Sequence, residues 1–555
     1  MPSCFSCLVP NPVRKTVANG DTNSIDVESK ILRAPAPNFL VPPPRTSVGE
    51  YILRKFKASP DFVAQVDAVT GVEDTYGQML DRSVRTAIWL RNKGIKAGEV
   101  VAICTHNHCD TVIPMYATLY CGGAVAPWDP IMNCKDLKYM NGMSQPRIVF
   151  CDEESACTVL VALRESNNDA EVVVFGEHSK CTSFRSVLDL HTDEDVENFK
   201  CSELEDDSQI ALIVCSSGSS GLPKGVEHTH RTVLLQFGAV RLLNLENKTC
   251  AVFSSLYWIS GLIGMFLCVA GNMKRVITPA FEEDFCSQLV EKYKINWVLM
   301  GSSILIRLIY SGCLEKYDMS SLEKISGGGG VITADAFGKL KAALPQTIVI
   351  LGYGMTELGG AATIQDANSK PGSCGRPVYG IACKVINCST GKILGPDEVG
   401  EICWQSPCIM KGYRNDPEAT AEAIDKDKWL HSGDIGYYDS DGLIYVLDKL
   451  KEMIKYRGNQ IAPAELESII MKHPGVKECA VVGKPDKIDV EHPVAFVVKN
   501  RGAEVTEKDI VDLVASEVIE RKRLKGGVRF IDKMPLTPSE KPKRTVLKEI
   551  LKNEG

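Results

Sequence analysis

The stretch Cys215–Val226, CSSGSSGLPKGV, decides how the rest of the sequence is interpreted. It follows the apolar run Ile210–Val214, which has the length and composition of a buried strand. Glycines allow tight turns that leave N–H groups pointing outward, while serine hydroxyls and Lys224 add donors and a positive charge. A flexible linker is the alternative, and a Walker A loop is excluded because its spacing does not occur. The stretch is therefore predicted to bind phosphate oxygens.

Composition places the chain among soluble globular proteins of several domains. It has 555 residues, of which 44% are hydrophobic and 24% charged. The formal net charge of -7 argues against a general nucleic-acid binder. A basic region from Arg521 to Lys552, with 11 Lys/Arg and 3 Asp/Glu, indicates either a solvated helix face or a phosphate-rich small-molecule partner.

The absence of a secretory signal and the number of cysteines indicate an intracellular protein. The N-terminus shows no secretory signal, so the 21 cysteines are expected to be mostly buried free thiols. Cys4 and Cys7 are expected to be surface thiols or palmitoylation sites rather than a metal or redox pair. The longest apolar stretch, Leu256–Gly271, is shorter than a membrane span, and no transmembrane segment is predicted.

Alternation of helical and strand patterns predicts an α/β fold. Residues 1–45 are rich in Pro, Asn and Ser and are predicted to form a poorly ordered tail. Beyond them, predicted helices such as Thr75–Asn92 and Asp110–Tyr120 alternate with predicted strands such as Glu99–Cys104. This order predicts a large domain, residues 46–447, of parallel sheets covered by helices on both faces.

Two later regions differ from this pattern. Shorter strands and turn signals over Val399–Leu447 indicate a small β subdomain. After Asp448 a compact α+β pattern follows, with a helix starting at Pro463 and a capping box opened by Thr506. Residues 448–555 are therefore predicted to form a small C-terminal domain.

Four further motifs occur at long intervals after the Ser/Gly stretch. They are GYGMTE at 352–357, the pair YRNDPEAT at 413–420 and WLHSGD at 429–434, KLKEMIKYRGNQIAPAE at 449–465, and PLTPSEK at 535–541. In this order they resemble the adenylate-forming superfamily of acyl-CoA synthetases, plant 4-coumarate–CoA ligases and firefly luciferases. The resemblance covers roughly residues 50–552. Within the superfamily the chain resembles an insect luciferase-like or coumarate-ligase-like acyl-CoA synthetase.

The resemblance implies that the protein uses ATP and Mg²⁺, with CoA as a co-substrate. It implies that a carboxylate joins the α-phosphate of ATP, releasing pyrophosphate, before the acyl group passes to the CoA thiol. Thr356 matches the α-phosphate contact, Glu357 the Mg²⁺ carboxylate and Asp434 the ribose carboxylate. The remaining matched nucleotide-binding residues are Ser216, Ser217, Gly218, Ser219, Ser220, Gly221 and Lys224 for the phosphates, and Gly328, Gly329, Tyr353 and Gly354 around the adenine.

The C-terminal domain is implied to carry the mobile half of the site. Lys541 matches the lysine that bridges the acyl carboxylate and the α-phosphate, and Lys455 and Gln460 match residues of the coumarate-ligase branch. Residues from Asp448 to Lys451 match a hinge about which the small domain rotates between half-reactions. For each lysine the alternative is an exposed solubilising charge.

Several positions depart from the family pattern. Lys449 stands where an arginine usually contacts the ribose, and Glu540 and Pro542 flank Lys541 in place of glycine and an aliphatic residue. Trp258, at the edge of the implied acyl pocket, replaces histidine and suits an apolar acid, a gate or core packing. Gln236 replaces an arginine of the luciferin site, which argues against light emission.

Three functions stay open on the sequence. The first is an acid–thiol ligase for a fatty or aromatic acid; the others are a luciferase-like monooxygenase and a catalytically weak nucleotide-binding homologue. The expected partners are a small carboxylic acid, ATP and CoA, with no nucleic acid.

Relatives suggest a peroxisomal location, but the C-terminus, KNEG, is not an S-K-L signal, so a cytoplasmic location stays open. The histidine pairs at 106/108 and 228/230 lack a third ligand by spacing, and no transition-metal site is predicted there.

Overall fold

The computed structural model describes residues 24–26, 28–35, 43–216, 223–330, 332, 334–366, 368–457, 459–536 and 541–553. Within those residues the strands form four sheets of eight, nine, six and five strands, called sheets 1 to 4 below.

Both large sheets have parallel centres; sheet 1 has one antiparallel edge and sheet 2 has antiparallel pairs at both edges. In spatial order, sheet 1 contains Gly412–Tyr413, Lys224–Thr229, Ile210–Ser216, Ala124–Trp128, Val100–Cys104, Ile148–Asp152, Glu171–Phe175 and Thr182–Ser183. Sheet 2 contains Arg376–Pro377, Gly360–Ile364, Ile348–Met355, Lys324–Gly328, Trp297–Gly301, Thr249–Val252, Lys274–Ile277, Val63–Asp67 and Glu73–Thr75.

Sheets 3 and 4 are formed mostly by the later part of the chain. Sheet 3 contains Ser24–Asp26, Ile31–Arg33, Ala382–Ile386, Gly400–Gln405, Leu430–Tyr438 and Ile444–Lys449. Sheet 4 contains Asn459–Ile461, Ile454–Tyr456, Val490–Lys499, Val476–Asp486 and Val528–Phe530. Sheet 3 corresponds to the predicted β subdomain and sheet 4 to the predicted α+β region.

Helices cover the two large sheets and sheet 4. The described α-helices are Val48–Ala58, Tyr76–Asn92, Ile113–Tyr120, Cys134–Ser144, Glu153–Glu165, Phe184–Leu188, Asp193–Glu197, His230–Gln236, Ala239–Leu242, Ile259–Ala270, Glu283–Tyr293, Ser302–Tyr310, Ala334–Ala343, Pro417–Ala423, Pro463–Ile470, Glu507–Glu517 and Arg544–Asn553. Short 3₁₀ helices are Thr356–Leu358, Leu450–Glu452 and Glu520–Lys522.

A layer of helices joins sheets 1 and 2 into one body. The largest hydrophobic cluster contains Val101 of sheet 1 and Ala64 of sheet 2, together with Phe56, Tyr116 and Met265 from three helices. Because each sheet buries one face against this shared layer, the carboxyl edges of the two sheets are held in a fixed relation. The predicted α/β fold class is confirmed.

Helix starts follow the residues that cap them. The side chain of Thr75 caps Tyr76–Asn92, and Thr506 forms a capping box with Asp509, as the sequence predicted. The helix predicted from Asp110 begins only at Ile113, because Pro114 lacks an N–H and fits the first turn of a helix.

One expectation about the N-terminal tail is wrong. Ser24–Asp26 and Ile31–Arg33, within the segment predicted to be poorly ordered, are strands of sheet 3. Leu32 is fully buried and lies opposite Cys383 in the register. The burial of this apolar side chain explains why the segment orders. Most of residues 1–45, including Cys4 and Cys7, lies outside the described residues.

Candidate active site

The Ser/Gly stretch joins two strands of sheet 1. Ser216 ends the strand Ile210–Ser216 and lies opposite Lys224, which begins the antiparallel strand Lys224–Thr229. Residues 217–222 lie outside the described residues, so the roles of Ser217, Gly218, Ser219, Ser220 and Gly221 stay predictions. Lys224, as expected, starts a strand and not the helix of a Walker A loop.

Tyr413 connects Lys224 to Glu357. The Lys224 Nζ lies 4.6 Å from the centroid of the Tyr413 ring, a cation–π contact. The Tyr413 hydroxyl donates to Glu357 Oε1 over 3.0 Å. Burial and the nearby Glu357 raise the pKa of Tyr413, so the hydroxyl keeps its proton. One side chain thus contacts both the predicted pyrophosphate lysine and the predicted Mg²⁺ carboxylate.

Replacing Tyr413 with phenylalanine tests this connection. We expect the affinity for Mg²⁺–ATP to fall about tenfold, since a hydrogen bond to a charged group contributes ~1.5 kcal/mol. The affinity for ATP without Mg²⁺ should change little, because the ring beneath Lys224 is kept. Calorimetric titrations with and without Mg²⁺ measure both affinities. The matched control is Tyr445→Phe, which removes a hydroxyl bonded to Asp439, in a turn between two strands of sheet 3. An equal loss in both variants would contradict the assignment.

Thr356 and Glu357 lie at the carboxyl edge of sheet 2. The strand Ile348–Met355 includes the glycines and Tyr353 of GYGMTE. Thr356 begins the 3₁₀ helix that follows, and its carbonyl accepts a hydrogen bond from His228 Nε2 over 2.7 Å. Burial lowers the pKa of His228 to about 4, so a neutral imidazole makes this bond. His228 therefore joins the Lys224 strand of sheet 1 to the edge of sheet 2.

Asp434 has a hydrogen-bond partner on each of its carboxylate oxygens. The Tyr353 hydroxyl donates to Oδ2 over 2.5 Å, and Lys449 Nζ lies 2.7 Å from Oδ1. The Tyr353 ring stacks on Trp404 with centroids 5.7 Å apart. Burial and Asp434 raise the pKa of Tyr353, which fixes its hydroxyl as a donor. Asp434 is buried and oriented before any ligand arrives, as a ribose-binding carboxylate needs.

The predicted adenine-side glycines lie where strands approach closely. Gly328 is opposite Gly352, and a Cβ on Gly328 would lie 2.8 Å from the Gly352 carbonyl oxygen. Gly329 has a φ of +87°, a conformation that favours glycine. Gly354 lies in the same strand as Tyr353. The close approach requires glycine at position 328 for structural reasons, and the adenine contact stays a prediction.

The Asp448–Lys451 segment joins sheet 3 to the C-terminal domain. Asp448 Oδ2 accepts a hydrogen bond from the N–H of Ala464 over 2.9 Å, in the first turn of the helix Pro463–Ile470. Burial raises the pKa of Asp448. Lys451 lies in the 3₁₀ helix that follows, and its pKa is lowered by burial. The predicted hinge therefore contacts the domain that it is predicted to move.

Lys541 is electrostatically coupled to Asp434, the predicted ribose carboxylate. Although its side chain reaches solvent, the surrounding protein lowers the pKa of its ammonium; the charge of Lys449 lowers it further and Asp434 opposes the shift. Lys455 lies opposite Gln460 in a hairpin of sheet 4, and its backbone N–H donates to Glu491 over 2.7 Å. Among the described residues, no hydrogen bond or ion pair joins Lys455 to Asp434 or Thr356. Lys541 thus lies within electrostatic reach of Asp434 and Lys449, and the roles of Lys541 and Lys455 stay predictions.

Trp258 and Gln236 differ in their surroundings. Trp258 is half-buried at the start of the helix Ile259–Ala270, with its ring edge-on to Tyr257 at 5.0 Å. The Gln236 amide donates to the Leu358 carbonyl over 3.4 Å, beside the Thr356–Leu358 turn. Both positions are compatible with an acyl pocket next to the predicted phosphate site.

Comparison with known families identifies the chain. Residues 53–414 match the model described as AMP-binding enzyme, and residues 465–541 match the AMP-binding enzyme C-terminal domain. The chain belongs to the AMP-binding enzyme family. The family resemblance drawn from the motifs is confirmed, and members of this family use ATP and CoA as substrates.

Relatives of this AMP-binding enzyme include luciferin 4-monooxygenases and 4-coumarate–CoA ligases. The luciferin 4-monooxygenase of Photinus pyralis is 34% identical over 94% of this chain and 97% of its own length. The 4-coumarate–CoA ligase 4 of Arabidopsis thaliana is 30% identical over 92% of each chain. The solved luciferase-like enzyme of the nonluminescent Zophobas morio mealworm has a TM-score of 0.71 and 31% identity, covering 76% of this chain and 100% of its own.

Sequence reasoning missed three residues of this AMP-binding enzyme that hold the site together. Tyr413 was part of a quoted motif without a role, His228 was considered only as a metal ligand, and Trp404 was not considered. The contacts of Trp404 with Tyr353, Tyr413 with Glu357 and His228 with Thr356 join residues 51, 56 and 128 positions apart. The sequence did contain a signal for Tyr413, because this residue is the first of the motif YRNDPEAT at 413–420.

In the described part of the chain, no helix is long and apolar enough to cross a membrane.

Proposed function

We propose that this AMP-binding enzyme is an ATP- and Mg²⁺-dependent acid–thiol ligase that converts a fatty or aromatic carboxylic acid to its acyl-CoA. The observation that carries the proposal is the position of Lys541, within electrostatic reach of Asp434 and Lys449. A cation from the C-terminal domain beside the ribose carboxylate supports a site built to bring a second anion to ATP.

The first half-reaction joins two anions. A carboxylate oxygen attacks the α-phosphorus, an O–P bond forms, and the bond to the β-phosphate oxygen breaks to release pyrophosphate. Cations and N–H donors must stabilise the charge that develops. Lys541 would hold the carboxylate against the α-phosphate, and Thr356 would donate to an α-phosphate oxygen. Lys224, lying over Tyr413, would hold the departing pyrophosphate.

The described carboxylate of Glu357 fits a magnesium site. It is buried, bonded to the Tyr413 hydroxyl and close to the predicted phosphate loop, and carboxylate oxygens are preferred ligands of Mg²⁺. Bound Mg²⁺ neutralises phosphate charge. Glu357 is therefore the residue that would bind it, and Tyr413 orients that carboxylate.

The second half-reaction needs different residues. The CoA sulfur attacks the acyl carbon, a C–S bond forms, and AMP leaves with the oxygen that joined it to the acyl group. We infer that rotation about residues 448–451 removes Lys541 and brings in the hairpin of Lys455 and Gln460. The bond from Ala464 to Asp448 would act as the pivot contact.

Two other functions have a specific observation behind them. The 34% identity to a luciferin 4-monooxygenase favours a light-emitting oxygenase, and the Asp434–Lys449 pair favours a weak nucleotide-binding homologue. Incubation of the purified chain with ATP, CoA and a panel of carboxylic acids separates them. We expect pyrophosphate and acyl-CoA in equal amounts. Light or oxygen consumption with luciferin but no acyl-CoA, or ATP binding without turnover on any acid, would overturn the proposal. A peroxisomal location stays a prediction.

Lys449 offers a test of nucleotide affinity. An arginine could contact both Asp434 and the ribose with its planar fork, whereas an ammonium contacts one group at a time. We expect Lys449→Arg to lower the KM for ATP about threefold, because a partly exposed ion pair contributes ~0.6 kcal/mol to binding. The control is Lys370→Arg, at a lysine that lies 2.7 Å from Asp439, and it should leave the KM unchanged. A higher KM in Lys449→Arg would show that lysine is needed at this position.

The lowered pKa of Lys541 predicts a pH dependence. Because the ammonium form bridges the anions and its pKa lies below that of an ordinary lysine, adenylation should fail as pH rises through this lowered value. Below it, this group should not limit the rate. Pyrophosphate release measured across pH gives the profile. Lys541→Arg should move the alkaline fall to higher pH, since a guanidinium stays charged; an unchanged profile would contradict the role of Lys541.

A further inference from the structure

A cluster of metal-binding side chains lies on sheet 3, away from the nucleotide site. It consists of Glu401, Cys403 and His431, called the 401–431 cluster below. Cys403 lies directly opposite His431 on neighbouring strands, and a register irregularity separates Cys403 from Glu401. Successive residues of a strand face opposite sides of the sheet. Since Trp404 stacks on Tyr353 at the nucleotide side, Cys403 faces the other side.

The distances match the edges of a tetrahedral metal site. His431 Nδ1 lies 3.0 Å from Glu401 Oε2 and 3.7 Å from Cys403 Sγ, and the three donor atoms all lie within 4.8 Å of one another. Zinc bonds of about 2.0 Å to nitrogen and oxygen and about 2.3 Å to sulfur give edges of roughly 3.3 to 3.6 Å in a tetrahedron. The two edges that meet at His431 Nδ1 lie within a few tenths of an ångström of these values, and the third, from Glu401 to Cys403, is at most 4.8 Å.

The surrounding charges suit a cation on His431 Nδ1. On the other ring nitrogen, Nε2, the Asp425 carboxylate lies 3.8 Å away, which is longer than a hydrogen bond but places a negative charge beside the ring. The positive charge of Lys384 lies 3.6 Å from Asp425 and is offset by the negative charge of that carboxylate. His431 is partly exposed, which leaves a path for an ion.

We propose that the 401–431 cluster binds one zinc-type divalent cation. Nitrogen, sulfur and carboxylate oxygen donors together favour Zn²⁺ over Mg²⁺ or Ca²⁺, which prefer oxygen. Binding releases the Cys403 thiol proton to solvent and leaves the metal bonded to the thiolate. The fourth ligand would be water or the exposed Cys388 thiol. The metal would clamp the strand that carries Asp434 to its neighbour.

Metal content and spectroscopy of the full chain test this site. The chain is expressed with added Zn²⁺, purified without an affinity tag and analysed by plasma mass spectrometry, with about one zinc per chain expected. Replacing zinc by Co²⁺ should give a thiolate-to-cobalt charge-transfer band of one or two sulfur ligands. Removing the metal with a chelator should lower the melting temperature.

Matched cysteine variants separate a metal site from a simple hydrogen-bonded pair. Cys403→Ser should lose the zinc and the cobalt band. Cys157→Ser should keep both, because Cys157 Sγ also lies 3.7 Å from a histidine nitrogen, of His178, but is not part of a three-ligand cluster. Absence of zinc and of the cobalt band in the wild-type chain would overturn the proposal, whatever the folding of the variants. Zinc retained in Cys403→Ser would also overturn it.

Discussion

Replacing Lys541 with alanine is expected to lower the rate of pyrophosphate release about 10²- to 10³-fold, the usual cost of removing one group that stabilises transition-state charge. ATP affinity should change little, because Asp434, Lys449 and Tyr353 stay in place. The loss should appear in kcat and not in the KM for ATP, since Lys541 acts where the carboxylate meets the α-phosphate.

The control for this variant is Lys543→Ala, two residues along the chain, which removes an exposed charge of the same basic region. It should keep nearly full activity. A comparable loss in both variants would mean that the basic region acts through its overall charge. If Lys541→Ala released pyrophosphate at the full rate, Lys541 would have no role in adenylation, and the proposed function would lose its main support. Transfer of a chemically prepared acyl-adenylate to CoA should survive in Lys541→Ala, because that half-reaction is assigned to Lys455 and Gln460.

Replacing Asp434 with asparagine is expected to raise the KM for ATP about 100-fold. The amide can accept at only one atom, so one ribose hydroxyl loses its acceptor, and Lys449 loses the partner 2.7 Å away; together these losses correspond to ~2.7 kcal/mol. Isothermal titration with ATP measures the effect directly, independently of turnover.

Asp439 provides a matched control for Asp434. It is also buried, in the turn between the sheet 3 strands Leu430–Tyr438 and Ile444–Lys449. It lies 2.7 Å from Lys370 and accepts from the Tyr445 hydroxyl over 3.4 Å. Asp439→Asn therefore removes a carboxylate that, like Asp434, contacts a lysine ammonium and a tyrosine hydroxyl. We expect lower stability but unchanged ATP affinity in that variant. Equal losses of ATP affinity in the two variants would show that Asp434 acts by holding sheet 3 together and not by binding the ribose.

The sequence allowed the local parts of the fold to be predicted. The strand before the Ser/Gly stretch, the helix capped by Thr75 and the capping box at Thr506 depend on residues within a few positions of one another. Such signals are readable without tertiary structure. The strand Ile31–Arg33 was missed because its partner, Ala382–Ile386, is about 350 residues away and the strand is only three residues long.

The site was predictable as a set of motifs but not as a set of contacts. Motif order identified Thr356, Glu357 and Asp434 individually. The bonds from His228, Tyr413 and Tyr353 to these residues span 128, 56 and 81 positions. No periodic pattern indicates which distant side chain supplies the donor. The predicted ribose contact of residue 449 also did not reveal that Lys449 pairs with Asp434 in the ligand-free site.

The most direct test of the central claim follows one oxygen atom. The chain is incubated with ATP, CoA and a carboxylic acid labelled with ¹⁸O in both carboxylate oxygens, and the AMP released is analysed by mass spectrometry. If the carboxylate attacks the α-phosphorus, each AMP formed gains one ¹⁸O from the acid, and acyl-CoA forms in equal amount. Unlabelled AMP, label in inorganic phosphate, or no nucleotide product with any acid would contradict the assignment of this chain as an adenylate-forming acid–thiol ligase.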